Sequence, residues 1–204
     1  MRFLPAAAAL GLLVLASHAG FVHRLFSVQS GGAIARDYSS RIEVSDPPLA
    51  GARLDAIASS IARRPVTVAC SAPPEHAAGY VVWDTYTGAH NSTNLTAAVC
   101  VDLEHFRRGL SAAEWRCVAA DAPGDCAGTV RQTIFAMHVL AHESWHMAGI
   151  GNEWSADCAG FRSEPAVAQA LGASATQAAE LQRYYHDHFA AIGGTPAGYL
   201  QAPC

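Results

Sequence analysis

The stretch Thr129 to Ala148, which contains His138-Val-Leu-Ala-His142-Glu143-Ser-Trp-His146-Met147, decides how this chain is read. It holds no proline or glycine and places Val130, Ile134, Met137 and Leu140 near a 3.6-residue period. A helix is expected there, closed by Gly149 and Gly151. Positions i and i+4 of a helix stand one above the other, so His142 and His146 can turn their rings to one metal ion. Glu143 can reach the open side of that ion and take a proton from water. With 10 histidines in 204 residues, a His-Glu-x-x-His arrangement arises by chance on the order of 0.02 times per chain.

Two histidines do not complete a catalytic zinc site, and a third ligand is needed. Asn152 is a good N-cap for a following helix that opens Glu153-Trp-Ser-Ala-Asp157. This segment resembles the glutamate-helix motif of the thermolysin-like gluzincins, Asn-Glu-x-x-Ser/Ala-Asp. The resemblance implies Glu153 as the third ligand, and Asp157 as the carboxylate that hydrogen-bonds the far nitrogen of a ligand histidine and fixes its tautomer. Only six residues separate His146 from Glu153, fewer than in thermolysin-like enzymes. That spacing is more similar to the compact minigluzincin peptidases, and Gly149-Ile-Gly151 makes the tight reversal feasible. The chain is also similar to small exported or anchored actinobacterial proteins. They share HExxHxxG, a later Glu, Ala-Asp/Glu-Cys and a terminal Tyr-x-x-x-x-Cys, here Ala156-Asp157-Cys158 and Tyr199 to Cys204. The similarity is good over residues 138–160 and thin elsewhere.

The metzincin pattern HExxHxxGxxH/D fits as far as Gly149. Its third ligand would fall on Asn152, a poor zinc ligand, and no methionine follows Met147 to make the methionine turn that class needs.

The resemblance implies zinc-dependent peptide-bond hydrolysis by an exported metallopeptidase acting on a peptide or protein, with Zn2+ held by His142, His146 and Glu153 and Glu143 as the catalytic base. Two alternatives stay open: a zinc-dependent hydrolase of a non-peptide cell-envelope amide, and a catalytically silent metal-binding scaffold. A purely structural metal site has no use for Glu143, which weighs against silence.

The rest of the chain frames this site. A length of 204 residues suits one compact domain, and a net charge of −4 gives no reason to expect nucleic acid. A monomer is expected. Residues 1–19 read as a signal peptide: Arg2, an apolar run from Phe3 to Ala16, then small residues at Ser17 and Ala19. An uncleaved N-terminal anchor, with membrane association, is the rival reading. Residues 20–45 read as a loose stalk and 46–204 as the domain. Short strands are expected at Pro65–Cys70 and Tyr80–Tyr86, and helices over Asp55–Arg64 and Asn94–Leu110. Pro165 is expected to interrupt the helix after Ser163, and a last helix to span about Thr176 to Ala191. The fold class is therefore α+β: a compact zincin-like domain, a small, partly antiparallel sheet packed on the HExxH helix, and a helical C-terminal half. An edge of that sheet could receive an extended peptide.

His138, one turn before His142, reads as a hydrogen-bonded helix histidine more readily than a substrate contact. Tyr184 to His188 reads as solvated helix surface, and Trp145 and Trp154 as packing anchors. All six cysteines lie beyond the leader, which agrees with export. Six allow fifteen pairings. Local sequence suggests only Cys117–Cys126, across the Asp121-Ala-Pro-Gly turn. The cysteines that recur at both places in the resembling proteins imply Cys158–Cys204, which together with Cys117–Cys126 leaves Cys70–Cys100.

Overall fold

The computed structural model describes residues 26–27, 52–71, 78–81, 91–120, 128–193 and 204. The leader read over 1–19, all of the 20–45 stalk except 26–27, and Cys126 lie outside these residues. The chain runs β1 (Phe26–Ser27), α1 (Ala52–Ala62), β2 (Thr67–Cys70), β3 (Gly79–Val81), β4 (Ser92–Leu95), α2 (Ala97–Arg108), α3 (Ala112–Ala120), α4 (Gly128–Met147), α5 (Glu153–Ala170) and α6 (Ala175–Gly193). The class is α+β and mostly helical.

The sheet has the order β1-β3-β4-β2, with β2 parallel to β4 and the other neighbours antiparallel. Its central strand, β4, departs from the sequence reading, which began a helix at Asn94. Ser92-Thr-Asn-Leu95 alternates half-buried and buried residues, the period of a strand with one face inward. Thr93 donates its hydroxyl to Tyr80 O at 2.8 Å, so a buried polar side chain is satisfied by the neighbouring strand. Thr96 then accepts from Val99 N at 3.1 Å and caps α2, which starts at Ala97. Of the strand expected over Tyr80–Tyr86, residues 80 and 81 lie in β3 and the remainder lies outside the described residues.

Helix α4 is buried along almost its whole length and on all sides, its polar residues His138, His142, Glu143 and His146 included. It carries α1, α2, α5 and α6 on its flanks and meets the sheet through β3 and β4. Leu95, Leu103, Ile134, Met137 and Leu140 fill the space between these layers, each nearly or fully inaccessible. Arg64, next to the positive-φ Arg63 (57°) that ends α1, donates Nε to Met147 O at 3.0 Å. It thereby satisfies a carbonyl that a helix C-terminus leaves open.

Pro165 does not end α5, which continues to Ala170. Proline removes the amide that would bond the carbonyl four residues back, that of Phe161. Gln182 of α6 donates Nε2 to this carbonyl at 2.9 Å, so the missing bond is replaced from the next helix.

Two disulfides fasten the outer elements. Cys70–Cys100 joins the end of β2 to α2, and Cys158–Cys204 joins α5 to the end of the chain. Cys117 is also disulfide-bonded; its expected partner, Cys126, is outside the described residues. Among the described residues no helix is long and apolar enough to cross a membrane.

Candidate metal centre

Two helices build the site, and a six-residue reversal sets their register. Helix α4 lines up His138, His142 and His146 at successive four-residue steps. Gly149 takes φ 103°, a conformation that favours glycine, and its amide bonds His146 O while Ile150 N bonds Trp145 O. Asn152 Oδ1 then accepts from Ser155 N at 2.9 Å and starts α5. Glu153, Asp157, Gly160 and Glu164 form a stripe on α5 at helical spacing. Gly160 lies so close to α4 that a Cβ there would sit 3.1 Å from His142 N and 3.2 Å from its Cα. That close approach lets short carboxylates reach the histidines.

The structure brings His142, His146 and Glu153 together. His142 Nε2 and His146 Nε2 are 2.8 Å apart, and Glu153 Oε2 stands 3.1 Å and 3.3 Å from them. The opposite nitrogen of each ring is engaged: His142 Nδ1 with Asp157 Oδ1 at 2.7 Å, His146 Nδ1 with Ile150 O at 2.6 Å. With those nitrogens donating, the two Nε2 atoms and a carboxylate oxygen converge on one point, which a shared proton holds together in the metal-free chain. A metal ion can take that proton's place. Ligand atoms at 2.0–2.1 Å from a tetrahedral centre stand about 3.3 Å apart, close to the separations here. The donor set therefore fits a metal ion, and these three residues form one of two groups among the described residues that could hold one; His138, His142 and Asp157 form the other.

Glu143 completes the arrangement. It is fully buried, and neither of its carboxylate oxygens has a hydrogen-bond partner among the described residues; the same holds for Glu153 Oε1. Burial raises Glu143, with the charges of Glu153 and Asp157 adding to it and His142 and His146 opposing, so that it stands at about 7. For Glu153, burial is outweighed by the hydrogen bonds and charges of His142 and His146, which hold it down at about 2. A carboxylate near 7 beside one fixed as an anion is the division expected of a proton carrier and a ligand. Strand β3 covers Glu143: a Cβ at Gly79 would lie 2.9 Å from Glu143 Cγ.

Behind the ligands the two helices continue an alternating ladder. Asp157 Oδ1 also meets His138 Nε2 at 3.2 Å, and His138 Nδ1 meets Glu164 Oε1 at 2.8 Å. Tyr185 of α6 stacks on His138 with ring centroids 5.0 Å apart. His138 is thus a hydrogen-bonded helix histidine, as its sequence context suggests. Tyr184 and Tyr185, read as helix surface, are instead fully buried, while His186 beside them is exposed. A helix packed against α4 turns only one face outward, and both tyrosines fall on the inner one. Trp145 donates Nε1 to Ser163 Oγ at 2.8 Å and packs on the core. Trp154, read as a packing anchor, is instead 44% exposed at the start of α5.

Comparison with known proteins finds no matching family model, no matching curated protein and no matching solved structure. The site is therefore read from its own chemistry. Three of its parts escape a sequence reading. Glu164 carries a detectable signal, its seven-residue step from Asp157 on one helix face. Gly79 and Gly160 carry none, since each matters for a contact with a distant segment.

Proposed function

We propose that this chain is a zinc-dependent peptide hydrolase, with His142, His146 and Glu153 as the metal ligands and Glu143 as general base. The observation that supports it most is Glu143: a buried carboxylate with neither oxygen paired among the described residues, one residue from His142, has no structural use and is costly to bury. Two imidazoles and one carboxylate are the protein donors of one kind of catalytic zinc site. Bound zinc would supply Lewis acidity, making water more acidic and drawing charge from a scissile carbonyl.

The chain's own residues do the rest. Asp157 and the Ile150 carbonyl hold the Nδ1 protons and so keep both Nε2 atoms as donors of a lone pair. Glu143, poised near neutrality, accepts a proton from water and returns it to the leaving amine nitrogen. Strand β3, which covers Glu143, is paired with β4 on one side and with only the two residues Phe26–Ser27 on the other, so an extended peptide would pair with it where that short strand gives way. The disulfides suit an oxidising compartment, in keeping with an exported enzyme.

Zinc analysis of the purified chain together with turnover of a peptide library tests this reading. One zinc per chain is expected, and Glu143→Gln should keep it while losing turnover by about 10²- to 10⁴-fold. A zinc-free wild-type chain, or a Glu143→Gln variant emptied of metal, would overturn the assignment.

A further inference from the structure

The ladder between α4 and α5 extends beyond anything the metal ligands need directly. His138 and Glu164 are each at most 4% exposed, and neither reaches the point where the Nε2 atoms of His142 and His146 converge. A buried imidazole between two buried carboxylates is a poor way to gain stability. Well-packed apolar side chains of similar volume usually do as well or better. Something other than stability accounts for the cluster.

Its geometry supplies the reason. Asp157 Oδ1 is shared: His142 Nδ1 lies 2.7 Å from it on one side and His138 Nε2 3.2 Å on the other. A carboxylate held by one hydrogen bond can swing about its terminal torsion, which is broad. Held by two converging donors, its oxygen is fixed against His142 Nδ1. His138 is immobilised in turn, by Glu164 Oε1 at 2.8 Å from Nδ1 and by the Tyr185 ring stacked 5.0 Å from its own. Gly160, against the His142 backbone, sets the distance at which this chain of contacts closes.

We propose that His138 and Glu164 are positioning residues for the metal centre: they lock Asp157, and through it the tautomer and orientation of His142. The proposal rests on the metal-centre reading above. It predicts coupling, because His138 acts only through Asp157. A residue that merely supports the fold would act independently of it.

A double-mutant cycle on zinc affinity in the full chain, measured by chelator competition, decides the matter. Asp157→Asn should weaken zinc binding by about 10- to 100-fold, and His138→Phe, which keeps a ring but no donor, by about fivefold. Adding His138→Phe to Asp157→Asn should cost nothing further. His138→Gln, which can place an amide donor near Asp157, should restore most of the affinity. Glu164→Gln should weaken binding in the same direction by a smaller factor, and it carries the cycle if His138→Phe fails to fold, as far-ultraviolet circular dichroism would show. Equal losses from His138→Phe in both backgrounds, or no loss in either, would overturn the proposal. So would a second zinc in the wild type that disappears with His138→Phe, which would make His138 a ligand. A wild-type chain that binds no zinc defeats the metal-centre reading itself; a zinc-binding chain with an additive cycle defeats only this inference.

Discussion

Gly79 matters through the side chain it lacks. An added Cβ would meet Glu143 Cγ at 2.9 Å, Glu143 Oε1 at 3.0 Å and Leu95 Cδ2 at 3.0 Å, in a fully enclosed space. Leu95 is itself buried and cannot retreat, so the carboxylate would have to move. Gly79→Ala should therefore lower turnover at least about tenfold while zinc content stays the same, with a stability cost of about 1–3 kcal/mol from overpacking. Parallel assays of kcat/KM, bound zinc and thermal midpoint check this. Unchanged turnover would mean that β3 does not hold the base. The difference between Glu143 and Gly79 also shows what a sequence can disclose. His142, Glu143 and His146 announce themselves because one helical period carries all three. Gly79 depends on a strand and a helix far apart in the chain, and no local pattern encodes it.

Between elements, the α4–α5 pair would couple protonation to the binding of a metal ion. In the absence of a bound ion, burial lowers His142, but its hydrogen bonds to Asp157 and Glu153 and the charges of Glu143 and Asp157 outweigh it and raise the imidazole to about 10. A folded-state value above the ordinary 6.5 stabilises the helix pair fully below 6.5 and ceases to do so as pH rises through about 10. A metal ion needs the same Nε2 lone pair and must displace that proton, so affinity should rise with pH. One displaced proton corresponds to about a tenfold gain per pH unit between about 6.5 and 8.5. Chelator competition across that range measures it, and a flat profile would contradict a protonated His142 in the metal-free chain. Element boundaries were less open to reading than the ligands. Pro165 looked like a helix end because its local effect is to break one bond, and only the presence of Gln182 across the interface offsets it. Asn94 and Leu95 read as the start of the following helix because four residues are too few to show strand alternation against a following helical pattern.

Across the whole molecule, the α+β class and the central place of α4 follow from patterning, whereas the sheet order does not, since β4 inserts between strands that precede it in the chain. The disulfides act at this scale too. Cys158 lies one residue from Asp157, and its bond to Cys204 spans 46 residues, a closure that can contribute about 4 kcal/mol in the chain-entropy account. Arg162 adds a hydrogen bond from Nε to Cys204 O at 3.1 Å.

The short reversal between α4 and α5 has a consequence in time as well as in space. His142 and Glu153 are 11 residues apart, whereas β2 must find β4 across a longer stretch, with Thr67 opposite Ser92. Contacts local in sequence close fastest, so the helix hairpin should assemble before the sheet. Its ligands would then converge while the rest of the chain is still unfolded, and zinc captured at that stage would speed folding as well as stabilise the product. Stopped-flow refolding with and without zinc reads this directly: a rate that rises with zinc supports early capture, and a rate indifferent to it places the ion last. In the first case the supply of metal where the chain emerges sets the pace at which it matures.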